Sequence, residues 1–175
     1  MAKNERQKQF ILKWYERAFE TNDEFDAFFC FWVSLVVAAQ IYSSSNFDNE
    51  TDREKVKKYF RVNKDEILSL LYEHKDNMVR FALRRGAQNN TPMLDASGHL
   101  KDKFTQLSAY FLGTQQLSDD LVVSYTAELF NKVRNNVFHG GKMYDEQSDI
   151  EILEIVNPIL DSILQKCEKV TVDQS

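Results

Sequence analysis

The chain has 175 residues, enough for one domain with its own hydrophobic core. It is 43% hydrophobic and 13% aromatic, too apolar for a disordered chain, and its 5 Gly and 2 Pro are too few breakers for a turn-rich β sandwich or barrel. The formal net charge of −5 excludes a uniformly basic nucleic-acid binder, although a local basic site remains compatible with it.

The charged start, Met1 to Lys8, is followed by no apolar stretch with a small-residue cleavage site, so no signal peptide is expected. Residues 5–20 predict an amphipathic helix, with Phe10, Ile11, Trp14, Tyr15, Ala18 and Phe19 at helical spacing. Thr21-Asn22-Asp23 breaks that pattern and can cap a second helix over 23–43. This second helix is apolar on nearly every face. Its run from Ala27 to Ile41 has Ser34 and Gln40 as its clearly polar residues and falls short of the roughly 20 residues that span a bilayer. A buried central helix is expected, and no membrane association. Ser43 to Asn46 reads as a polar loop.

Thr51-x-x-Glu54 has the form of a capping box and starts a charged helix over 52–61. Asn63-x-x-Glu66 can cap a fourth helix running to Arg85, where Arg84-Arg85-Gly86 provides a stop. Residues 87–99 form the one long predicted loop. A helix over 100–112 is closed by Gly113, and Ser118 can cap the next, over 119–136. Ser148-x-x-Glu151 is a further capping box opening the last helix, which Pro158 should kink by removing a backbone bond to Glu154. Residues 170–175 read as a frayed tail. The expectation is an all-α fold, a single domain over 1–175, built as an antiparallel bundle of about six or seven helices.

Cys30 and Cys167 each sit in a helical pattern outside any CxxC, and read as reduced thiols in or near the core of a cytoplasmic protein. The three His (His74, His99 and His139) are dispersed, so neither a metal cluster nor a cofactor is expected. His74 reads as a surface residue and His99 as a cap or surface residue. Trp14, Tyr15, Phe25, Phe28, Phe29, Phe31 and Trp32 read as core rather than as a base-stacking platform. The basic runs Lys55–Lys64 and Arg80–Arg85 read as solvated charged faces, although either could track an RNA backbone.

The chemistry-bearing stretch is Arg134-Asn135-Asn136-Val137-Phe138-His139-Gly140-Gly141-Lys142. Arg forks onto phosphate oxygens, and His titrates near neutral pH. Cleavage of RNA by its own 2′-hydroxyl needs those two things, charge relief at phosphorus and a proton-transfer group. Asn135 or Asn136 could orient either group. The spacing by itself favours a helix-ending turn in which Arg134 pairs with a carboxylate and His139 caps.

This stretch resembles the signature of the HEPN (higher eukaryotes and prokaryotes nucleotide-binding) superfamily. That signature is an Arg followed after four to six residues by a His, with a polar residue (here Asn135) after the Arg and a long last helix behind it. The likeness is motif-level over about ten residues and architectural over 100–168, while 1–99 matches only in being helical. It implies a metal-independent endoribonuclease acting as a toxin or defence effector. It implies Arg134 at the scissile phosphate, His139 as general acid/base and Asn135 positioning them. Lys142, next to the motif, is the cation most readily given an RNA contact, with Asn136 as a second candidate. The resemblance further implies a homodimer through the Arg134–His139 face and a cognate antitoxin or defence partner. Some relatives carry a Tyr two residues after the His that a partner enzyme modifies; Gly141 stands there in this chain. Other relatives keep the fold and only bind nucleotides, RNA or a partner.

Overall fold

The computed structural model describes residues 3–42, 50–87, 99–138 and 147–172. Among these there is no strand, and eight helices form an all-α bundle: α1 (Lys3–Glu20), α2 (Glu24–Tyr42), α3 (Asp52–Val62), α4 (Lys64–Glu73), α5 (Lys75–Ala87), α6 (His99–Phe111), α7 (Asp119–Phe138) and α8 (Gln147–Val172). The expected Ser43–Asn46 turn, most of the long loop before α6 and the end of the tail lie outside the described residues.

α2 packs against α1, α3 and α8, which explains why it is apolar all round. Phe28, Leu35, Ala38 and Ala39 have no exposed surface. Its Glu24–Ile41 segment is long and apolar enough to cross a bilayer on length and composition, but 56% of it is buried inside the protein, as for a core helix. Ser34 is buried as well, and its hydroxyl donates to the Cys30 carbonyl at 3.0 Å and to the Ile11 carbonyl of α1 at 3.3 Å. α7 packs on α3, α4 and α6, and α8 on α2, α4 and α5. α8 runs through Pro158, which lies on its exposed side.

The caps follow the sequence in part. Asp23 Oδ1 accepts the amides of Phe25 and Asp26 at 2.9 and 3.0 Å and so caps α2. Thr51 and Glu54 form a reciprocal capping box on α3. Gly113 ends α6 with φ +77°, a conformation that glycine adopts without strain. Asn63 stands at the N-cap position of α4, but its side chain makes no cap there. Its Nδ2 donates instead to the Tyr59 carbonyl at 2.9 Å and closes α3. Ser148 lies inside the first turn of α8, one residue past its start, rather than at its cap.

The single helix expected from Asn63 to Arg85 is two. The chain leaves helical geometry at His74 (φ −98°, ψ 23°), and His74 Nε2 lies 2.7 Å from Ser162 Oγ on α8. His74 is therefore a half-buried tether between the α4–α5 junction and α8 rather than a plain surface residue. α5 also runs through Gly86 to Ala87, past the stop read at Arg84–Gly86. These breaks account for a helix count above the expected six or seven.

Glu128 of α7 joins three helices. Lys57 of α3 donates to it at 2.7 Å and Lys103 of α6 donates to its other oxygen. Burial pushes its carboxyl up, but the two lysine hydrogen bonds outweigh that and hold it below the usual range. A depressed carboxyl stabilises the fold above its unfolded value near pH ~4.3, and this contribution is lost as pH falls through the folded value. Glu128→Gln is expected to cost about 1–3 kcal/mol at pH 7 and much less at pH 3, as read by urea unfolding at both pH values.

The buried Cys30 thiol is raised by burial. It is expected to react with a maleimide at pH 7 only at the rate at which the fold opens, and at full rate in denaturant.

Candidate nucleic-acid site at the end of α7

α7 continues two residues beyond the expected 136, so Arg134, Asn135 and Asn136 are helical and Phe138 lies one turn after Arg134. That i, i+4 spacing stacks the guanidinium on the Phe138 ring, 4.8 Å from its centroid. Phe138 in turn packs on Phe29 of α2, with ring centroids 5.3 Å apart. Arg134 Nη1 donates to Asn135 Oδ1 at 3.1 Å, and Nη2 lies 3.8 Å from an Asp52 carboxylate oxygen in the first turn of α3. Arg134 Nε and Asn136 Nδ2 are buried with no hydrogen-bond partner among the described residues.

The Arg134 side chain is 27% exposed and that of Asp52 44%. The pair is loose and partly in water, where an ion pair contributes about 0–1 kcal/mol. Asp52 is thus a surface carboxylate that a phosphate could displace, and not a core acid that fixes Arg134 in a structural role. The Phe138 face and Asn135 hold the guanidinium plane without using up its donors. Held in this way, a guanidinium can fork onto a phosphate at little ordering cost.

Arg134 and Asn135 are thereby placed together, whereas Asn136, two positions on along the helix, turns away from Arg134 with its Nδ2 buried. His139, Gly140, Gly141 and Lys142 lie outside the described residues. Sequence reasoning missed Phe138, although its spacing from Arg134 is the signal that could have found it. It also missed Asp52, for which no sequence signal exists. Asp149, in the first turn of α8, is the one carboxylate among the described residues with no exposed surface, a position that suits the positive end of a helix.

Most of the basic run on α3 is tied up as a charged face, with Arg61 left exposed. Lys55 pairs with Asp52, Lys57 with Glu128, Lys58 with Glu50, and Lys64, just beyond it, with Asp120. A cavity of about 520 Å³ between the α1–α2 turn and α8 is lined by Asp23, Glu24, Glu154 and Asp161 and by no cation, the wrong sign for a polyphosphate chain. Among the described residues no group of His, Cys, Asp and Glu could hold a metal ion. Compared with family models, curated proteins and solved structures, the chain matches none of them.

Proposed function

We propose that this protein is a metal-independent endoribonuclease of HEPN type, acting in the cytoplasm as a toxin or defence effector. The observation that carries the reading is the guanidinium of Arg134, stacked on Phe138, held by Asn135 and opposed only loosely by the exposed Asp52. In this reading Arg134 binds the scissile phosphate and stabilises the charge that builds on its oxygens. The 2′-oxygen attacks phosphorus and the 5′-oxygen leaves. His139 takes the 2′-hydroxyl proton or delivers one to the 5′-oxygen. Asn135 positions Arg134 and Lys142 contacts the RNA, while Asn136, whose Nδ2 is buried, can reach it only through its Oδ1. A homodimer would bring two such faces together, and a cognate antitoxin or defence partner would restrain it.

The pure protein incubated with structured and single-stranded RNAs in EDTA is expected to leave 2′,3′-cyclic phosphate ends. If wild type and His139→Ala leave a broad panel of RNAs equally intact, the catalytic reading is wrong. The Arg134–Asp52 contact supports a second reading, a non-catalytic module of the same type that binds a nucleotide, RNA or partner. That reading predicts binding without turnover, and no change in cell toxicity on mutating His139.

A further inference from the structure

The aromatics from Trp14 to Trp32, Phe19 apart, were expected in the core, and Phe10 only on the apolar stripe of α1. Phe25, Phe28, Phe31 and Trp32 lie in the core, but Phe10 remains 43% and Phe29 41% exposed. These two belong to a continuous row of rings. Phe138 meets Phe29 at 5.3 Å, Phe29 meets Trp14 at 5.7 Å, and Trp14 meets Phe10 at 6.0 Å. A guanidinium lies over a ring toward each end of the row, Arg134 on Phe138 at 4.8 Å and Arg17 on Trp14 at 5.4 Å.

The cations of α1 are mostly gathered on one side of its axis, with Lys8 on the far side and Glu20 on the same strip at its C-terminal end. Arg6, Phe10, Lys13 and Arg17 follow at spacings of four, three and four residues and so share one face. Arg6, Lys13 and Arg17 are all exposed. Glu5 and Glu16 fall on a neighbouring strip of the helix, away from Phe10. The row of rings therefore runs beside a strip of cations and begins at the Arg134 site.

We propose that this row is a binding track for single-stranded RNA. Bases stack on Phe29, Trp14 and Phe10, while phosphates lie along Arg134, Lys13 and Arg6. Aromatic rings with adjacent cations are what an unpaired strand needs, because every base offers a π-face and every linkage a negative charge. A duplex keeps its bases stacked on one another and cannot use the rings. A hollow of about 420 Å³ lined by Trp14, Arg17, Glu20, Asp26 and Phe29 is large enough to admit a base; Glu20 and Asp26 can accept hydrogen bonds from its amino groups, while their charge keeps the phosphates outside the hollow. The proposal rests on the reading of the Arg134 site as an RNA site. It adds the path by which the strand reaches that site and its preference for unpaired RNA.

The test uses the full chain carrying His139→Ala, with a fluorescein-labelled 12-nucleotide RNA lacking secondary structure, in EDTA at low salt. Adding Phe29→Leu or Phe10→Ala is expected to raise Kd roughly 5–150-fold, the equivalent of losing one stacked base. Phe19→Ala, at a ring outside the row that is 60% exposed, is expected to leave Kd unchanged. Binding should quench tryptophan fluorescence, and Trp14→Phe should remove the quench because Trp32 is only 2% exposed. A duplex of the same sequence should bind more weakly. Unchanged Kd in both Phe variants overturns the track, as does loss of binding that coincides with a dimer becoming a monomer in sedimentation, since the face would then lie between two copies. Wild-type cleavage with normal binding by the Phe variants overturns the track alone. Ring-dependent binding by a wild-type protein that never cuts overturns the nuclease reading alone.

Discussion

His139→Ala is expected to lower EDTA-resistant RNA cleavage about 10²–10⁴-fold, the usual contribution of one positioned acid/base group. Arg134→Ala should fall by a further-reaching route. It removes the cation at phosphorus, an effect of about 10²–10³-fold for a single lost donor in a preorganised site, and it also weakens ground-state binding. The two changes are distinguishable. His139→Ala should depress kcat with KM nearly unchanged, whereas Arg134→Ala should move both. Arg134→Lys keeps the charge but loses the fork and the flat face stacked on Phe138, and should recover only part of the loss. Because the Arg134–Asp52 pair is partly in water, losing it should shift the unfolding midpoint little, and Arg134→Lys, which keeps the charge, separates a catalytic loss from a folding one.

Phe130→Ala is expected to show the opposite profile, with a loss of about 3–5 kcal/mol in stability from the cavity and the lost transfer energy. Phe130 has no exposed surface and meets the Phe60 ring of α3 edge-on, with centroids 6.2 Å apart. Small domains have about 5–15 kcal/mol in total, so the variant stands near the threshold of folding. Phe130→Leu leaves a smaller void and should retain enough stability for urea unfolding to be measured in both directions. Phe130, Arg134 and Phe138 stand one turn apart on the same face of α7, so the helix passes along that stripe from the closed core to the open site. Phe130→Leu is therefore also expected to reduce cleavage modestly at temperatures well below its own midpoint, through a less firmly held Arg134.

How much of this could be read from the sequence depended on whether the signal was local. The all-round apolar character of α2, the Thr51–Glu54 box, the Asp23 cap and the Gly113 stop are encoded within a few residues, and they appear as expected. Asn63 misled because its amide can serve the helix before it as easily as the helix after it. The break at His74 depends on Ser162, far along the chain, and the pattern around Tyr72–Lys75 carries no trace of it. Phe29 is exposed because an all-apolar helix does not say which of its faces lacks a neighbour. At the site, Arg134, Asn135 and Asn136 were legible as a motif. The stacking on Phe138 was legible in principle from spacing, and the Asp52 contact across to α3 was not.

The pairing of α2 with α8 has a consequence during synthesis. The helix that covers much of α2 begins about a hundred residues after α2 ends. At ~5–20 residues per second, α2 waits on the order of 5–25 s with only its sequence neighbours for cover. In that interval α1, which packs on α2 and accepts the Ser34 hydroxyl at the Ile11 carbonyl, is the neighbour already available to cover it.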